Sequence, residues 1–183
     1  MIKGLLNAIL CTCLCVAASG LELPSAPGIA RAYVADSTLG AEGYRIVSGA
    51  EGLRVEAAAE RGMLYGLGAA TRMRTMGRVP ADTVTERPAY GLRVLNHWDN
   101  LDGTVERGYA GPSIWDWQGS DPDAEERWRR YGRICASAGI NGAVLNNVNA
   151  SSQVLSGAML RRVAHIADVL RDYGVRVYLS ANF

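Results

Sequence analysis

Residues 92–117 read LRVLNHWDNLDGTVERGYAGPSIWDW, and they hold the densest set of chemically capable side chains in the chain. Leu92, Val94 and Leu95 form an apolar run. It breaks into a segment carrying His97, Asp99, Asp102, Glu106, Arg107 and Asp116, interleaved with Trp98, Tyr109, Trp115 and Trp117. A loop that only connects two elements has little use for three tryptophans. Flat rings beside acids and a guanidinium suit a sugar: the ring face stacks on C–H groups and the charged groups bond hydroxyls. The structural alternative is a folded loop whose tryptophans fill a small core. Within the segment, Arg107 is the candidate for an anionic contact, because its planar fork matches a carboxylate with two parallel hydrogen bonds. A salt bridge to Glu106 or a nearby Asp is the competing role. Asp99 and Glu106 are candidates for bonding hydroxyls or bracing the loop, alongside Asn100. Trp98 and Trp115 are candidate stacking platforms, one of which is expected in the core. His97 is placed to hold a carboxylate or to sit satisfied in the interior.

The elements that must position these groups follow from periodicity. Ile29 to Ala35, Tyr44 to Val47 and Leu53 to Ala57 alternate and are punctuated by Gly40, Gly43, Gly49 and Gly52, which predicts strands with tight turns. Gly62 to Met76 switches to helical spacing, with Met63, Leu67, Ala70 and Met73 on one stripe. Gly66 and Gly68 weaken that helix but permit close packing. Residues 21–80 are thus expected to form a small α+β accessory domain, and residues 81–90, with a proline and mixed polar residues, a linker. Leu92 to Leu95 is predicted as a strand. Asp121-Pro122-Asp123 opens a helix to about Ala138, with Trp128, Tyr131, Cys135 and Ala138 inward. Ala143 to Leu145 is the next strand, followed by Asn146, Asn147 and Asn149. A helix from Ala158 to Tyr173, with Leu160, Val163, Ala167 and Leu170 inward, leads to a strand at Val175 to Leu179. His165 is expected on its solvated side. The order strand, helix, strand, helix, strand predicts a parallel α/β sheet with right-handed crossovers. A doubly wound sheet is the alternative, without a phosphate-binding glycine pattern to support it.

Three stretches, taken in order, resemble glycoside hydrolase family 67, the α-glucuronidases: NHWDNLDGTVERGYAGPSIW, then GINGAVLNNVNA (139–150), then GVRVYLSANF (174–183). The likeness covers residues 88–183 well and 39–76 more loosely. It implies an incomplete (β/α)8 TIM barrel, strands one to three, over residues 91–183, preceded by the small α+β domain. An eight-unit barrel needs roughly 250 residues, and 95 follow Pro88. In a barrel the active-site groups stand on the loops after the strands. That selects His97, Trp98, Asp99, Asn100, Glu106, Arg107 and Trp115, then Asn146, Asn147 and Asn149, with Ser180 and Asn182 at the third strand end. The resemblance further implies hydrolysis, by inversion, of α-1,2-linked (4-O-methyl)glucuronic acid from xylan fragments, with glucuronoxylan or aldouronic-acid oligosaccharides as partners. A homodimer of the full enzyme is left open. The two catalytic carboxyls of an inverting enzyme stand ~6.5–9.5 Å apart. In family 67 they lie downstream of the matched region, beyond Phe183, so no residue here is assigned as acid or base and the fragment alone is expected to be inactive. The GMLYG stretch also resembles the unit preceding the barrel in family 20 hexosaminidases. A hexosaminidase-like barrel, or a non-catalytic or decayed carbohydrate-binding product, are the rival readings.

Bulk properties narrow the field further. The net charge of +1 gives no footprint for nucleic acid or an anionic membrane. Lys3 is the only lysine, which excludes a Schiff-base or phosphate-loop lysine beyond it. Of Cys11, Cys13, Cys15 and Cys135, three lie in an N-terminal apolar run, and the imidazoles are His97 and His165 alone, so no disulfide, metal or other cofactor is expected. Residues 1–20 carry one cation, then an apolar stretch from Leu5 to Ala18, then small residues. That predicts a secretory signal, too short to be a membrane span, and a secreted product.

Overall fold

A computed structural model describes residues 20–180; the expected signal segment (1–19) and the stretch from Ala181 to Phe183, with Asn182, lie outside the described residues. Two sheets form. The first has four strands, β1 (Ile29–Tyr33), β2 (Tyr44–Gly49), β3 (Gly52–Ala57) and β4 (Val84–Glu86), in the order β1-β3-β2-β4. β2 and β3 are an antiparallel hairpin, and β1 runs parallel to β3. β4 pairs antiparallel with β2, Tyr44 opposite Glu86. Residues 81–90 are therefore more than the expected linker. They return an edge strand to the first sheet, because the VTE stretch offers free backbone groups to the open side of β2.

Helix α1 (Glu60–Thr75) packs on this sheet, and Gly62 through Ala70 are all buried. One face, with Met63, Leu67 and Ala70, meets Ile46, Leu53 and Val55 of the sheet. The opposite face, with Leu64 and Tyr65, enters the core of the second unit. A helix buried on two sides needs small residues at its closest contacts. A Cβ on Gly68 would fall 2.6 Å from the Ser137 Cα, and one on Gly66 would fall 2.5 Å from a Val55 methyl. The glycines that weaken this helix in isolation are what let two layers close on it.

The second sheet is parallel, with β5 (Val94–Asn96), β6 (Gly142–Val144) and β7 (Arg176–Tyr178) in that order. Helix α2 (Ala124–Ser137) links β5 to β6, and α3 (Gly157–Arg171) links β6 to β7. Gly139 and Gly174, both with φ near 70°, end the two helices as the sequence predicts. On α3, Val163, Ile166, Val169 and Leu170 face inward. Leu160 stands outside the expected stripe at 43% exposure, because the buried face begins one turn later. The two units are joined by polar contacts as well as by α1. Glu22 donates its amide to the Asp172 carbonyl at 2.6 Å and accepts from the Tyr173 hydroxyl at 2.7 Å. Arg93 pairs with Glu42 at 3.0 Å and lies over the Tyr65 ring. Among the described residues no helix is long and apolar enough to cross a membrane.

Candidate functional site

The ends of β5, β6 and β7 are tied into one rim by hydrogen bonds. The His97 amide donates to the Val144 carbonyl at 3.0 Å, and the Asn147 amide to the Asp99 carbonyl at 2.8 Å. The Asn146 side chain donates to the Ser180 carbonyl at 2.7 Å and accepts from the Ser180 amide at 2.9 Å. Three consecutive loops therefore share one face of the molecule, because the parallel strands deliver their exits side by side.

The long loop from His97 to Trp117 divides into two parts. Its outer part is a compact double turn. Asp99 bridges Val105, and Thr104 bridges Pro112. Asn100 donates through Nδ2 to Thr104 Oγ1 at 3.0 Å and to the Glu106 carbonyl at 2.7 Å. Glu106 adopts φ 58°, a left-handed backbone rare for a side chain of its size, fixed by its amide donating to the Trp98 carbonyl at 2.9 Å. Strain of this kind persists where the surroundings over-determine it, and it clusters at ligand-gripping sites. Trp98 (41% exposed), Arg107 and Tyr109 (75% exposed) stand in solvent around that residue.

The inner part returns to the core. Trp115 is fully buried and Trp117 nearly so, among Trp128, Leu145, Ile166 and Leu170. The Ile114 carbonyl accepts from the Trp128 indole at 2.7 Å. Arg162 of α3 donates to the Asp116 carbonyl at 2.9 Å and to its carboxylate at 2.5 Å. Asp116 has φ 44° and caps the turn ahead of α2, accepting from the Ser120 and Asp121 amides.

These positions correct four of the expected substrate contacts. Trp115 has no face available for stacking. Asp99 is 3% exposed, and its carboxylate is held by the Ser113 hydroxyl and the Ile114 amide. Asn146 is fully buried and committed to Ser180; Asn147 is 7% exposed, and its Oδ1 accepts from the Asn149 amide. Polar groups removed from water must be satisfied within the fold, and the Asp99, Asn146 and Asn147 side chains find partners there, whereas the buried Trp115 indole nitrogen has no hydrogen-bond partner among the described residues. His97 is mostly internal too. Its Nε2 meets the Tyr131 hydroxyl at 2.7 Å, and its ring stands edge-on to Trp115. Burial holds the His97 pKa below the usual imidazole value despite Asp99 3.9 Å away, and burial also raises the Asp99 carboxyl. Tyr131, pushed up by burial and by Cys135, completes this internal stack. His165 keeps the exposed place expected of it, 3.3 Å from Glu125.

Six expected residues remain in reach of solvent: His97 by one edge, Trp98, Asn100, Glu106, Arg107 and Asn149. Asn100 and Asn149 line a cleft of about 540 Å³ with Leu101, Asp102, Gln118 and Met159. No ion pair involves Arg107 among the described residues, so the salt-bridge alternative does not hold. Sequence reasoning did not single out Tyr109 as a site residue. Its spacing of three from Glu106 is the signal, since its hydroxyl donates to Glu106 Oε2 at 2.8 Å.

Such a two-sheet arrangement has solved counterparts among glycosidases. A β-N-acetylhexosaminidase superposes with a TM-score of 0.53 at 14% identity, over 82% of this chain and 34% of that one. Streptomyces plicatus N-acetyl-β-hexosaminidase superposes at 0.50 and 15% identity, over 85% of this chain and 34% of that one. At such identities the likeness defines the class of fold alone, a mixed α/β fold of sheets and helices.

Sequence defines the family within that class. Residues 72–183 match the glycosyl hydrolase family 67 middle domain. A probable alpha-glucuronidase A of Neosartorya fischeri is 39% identical over 145 residues, 79% of this chain and 17% of that protein. The alpha-glucuronidase A of Emericella nidulans is 40% identical over 129 residues, 68% of this chain and 15% of its own length. The chain belongs to glycoside hydrolase family 67, and it spans about a sixth of the length of these relatives.

Proposed function

We propose that this chain is the N-terminal part of a secreted α-glucuronidase and that its rim grips the glucuronic acid of a xylan fragment. In this reading residues 21–80 are an accessory domain, to which β4 belongs as well. β5, β6 and β7 are the first three strands of a (β/α)8 barrel. The observation that carries the reading is an exposed Arg107, without an ion pair among the described residues, on a strained turn whose Glu106 amide is bonded to the backbone of the exposed Trp98. A guanidinium fork takes a carboxylate with two parallel bonds, and an indole face takes the C–H side of a pyranose. Asn100 on the same loop and Asn149 past the end of β6 offer further partners for hydroxyls.

Hydrolysis of the α-1,2 link to xylose by inversion requires an acid and a base across the bond. Asp99 and Asp116 are held inside the fold, which leaves them poorly placed for either role. The pair is assigned to sequence beyond Phe183, and the 183-residue chain is expected to bind without turnover. A homodimer belongs to the longer product in this proposal.

The test uses that longer product and the chain itself. A gene product continuing past Phe183 should release 4-O-methylglucuronic acid from aldouronic acid, first as the β-anomer by NMR, and should leave chitobiose intact. Release of N-acetylglucosamine from chitobiose would instead favour the hexosaminidase-like rival. A stop codon directly after Phe183, with no sugar binding by the chain, would favour a decayed product.

A further inference from the structure

We propose that Tyr109 is a positioning residue of this uronate grip: its hydroxyl holds the Glu106 carboxylate away from Arg107 and keeps the guanidinium open for the carboxylate of a sugar acid. The inference rests on the reading of the rim as a uronate site and adds the element that would make it select an acid over a neutral sugar.

Glu106 and Arg107 are adjacent and opposite in charge. On a solvent-exposed turn, such neighbours can neutralise each other and leave nothing for a ligand. Here they do not pair. Glu106 Oε2 accepts from the Tyr109 hydroxyl at 2.8 Å. The Glu106 backbone is fixed in the left-handed region, by its amide on the Trp98 carbonyl and by Asn100 Nδ2 on its own carbonyl. The turn therefore commits one carboxylate oxygen to Tyr109. The other, Oε1, has no hydrogen bond among the described residues and is free to accept a sugar hydroxyl. Gly108, at φ 92°, makes the reversal that brings Tyr109 back over Glu106, a conformation a residue with a Cβ adopts only with strain.

A hydroxyl on an aromatic ring suits this task. It donates one directed bond to a carboxylate, and the rigid ring holds that donor with little loss of freedom. Removing only the hydroxyl releases Glu106 to swing toward Arg107, so the cost falls on ligands that need Arg107 bare.

The chain is compared as wild type, Tyr109→Phe, Glu106→Gln and the double variant. Sodium glucuronate and xylose are the NMR titrants, with a separate pH titration of the Tyr109 hydroxyl. Glu106→Gln should let that hydroxyl titrate at lower pH, because the carboxylate raises it in the wild type. Tyr109→Phe should weaken glucuronate about three- to ten-fold, the range of one hydrogen bond. Xylose should be affected less, and the loss should vanish in the Glu106→Gln background. Unchanged glucuronate affinity in Tyr109→Phe, or the same loss in both backgrounds, overturns the positioning role while wild-type binding keeps the uronate reading intact. A wild-type chain that ignores glucuronate, with the Tyr109 titration still responding to Glu106→Gln, overturns the uronate reading and this inference with it.

Discussion

The two parts of the 97–117 loop use the same residue types for opposite ends. Trp115 and Trp117 on the inner part are buried among α2, α3 and β6; Trp98 on the outer part stands 41% exposed. The inner acid, Asp116, is locked by Arg162; the carboxylate of the outer acid, Glu106, is held by the Tyr109 hydroxyl at the surface. The difference teaches how a rim is built. The inner part is a foundation whose aromatics and ion pair resist displacement. The outer part carries its strain and its unpaired charge because the foundation over-determines its shape. Function of this kind does not follow from composition alone, since each half contains the same chemistry.

The sharpest way to break that comparison is to remove the foundation. Trp115→Ala should lower stability by about 3–5 kcal/mol, the cost of truncating a fully buried aromatic, measured by urea unfolding. A loss under about 1 kcal/mol would mean that the inner part is not core. Arg162→Ala should come next, at about 2–3 kcal/mol. It strands the Asp116 carboxylate in the interior, and the figure is discounted because Arg162 is itself 23% exposed. Trp98→Ala and Arg107→Ala should each change stability by no more than about 0.5 kcal/mol and should abolish detectable glucuronate binding by NMR. A large stability loss in either would merge the two parts into one.

The smallest expected effect concerns pH. The His97 pKa is lowered in the folded chain by burial, while the unfolded chain titrates near the ordinary 6.5. Below about 6.5 the unfolded state therefore takes up the proton more readily than the native state. Stability should fall as pH drops through that region, and His97→Gln should remove this part of the pH slope. The groups facing His97 are Asp99 and Tyr131. Asp99 works the other way. Its raised folded pKa means the native state binds the proton more tightly, so its contribution falls as pH rises from 3.8 through the folded value. A pH slope unchanged in His97→Gln would place the imidazole in solvent.

Much of this fold was legible in the sequence. The glycines at 139 and 174, the Asp-Pro-Asp start of α2 and the alternating runs of the first sheet marked their elements to within a few residues, because backbone conformation and local capping set them. The inward face of α3 was displaced, with Leu160 outside, because periodicity gives the spacing of a stripe and not the turn at which burial begins. Residues 81–90 hid a strand, since three residues carry no alternation to read. At the site, the loop was found but its two halves were not separated. Asp99, Asn146 and Asn147 have the chemistry of sugar ligands, and only the hydrogen bonds to Ser113, Ile114, Ser180 and Asn149 show them bracing the rim. No local pattern distinguishes an exposed tryptophan such as Trp98 from one buried beneath the loop such as Trp115.

The chain has four tryptophans, and their indole N–H signals separate the two halves in one spectrum. Titrating the 15N-labelled chain with aldouronic acid should shift the indole of Trp98 and the amides of Glu106, Arg107 and Tyr109. The indoles of Trp115, Trp117 and Trp128 should stay in place. Silence at Trp98 up to high millimolar sugar would contradict the account. So would shifts gathered instead around Leu64, Thr71 and Arg133, which line the groove of about 550 Å³ between α1 and α2.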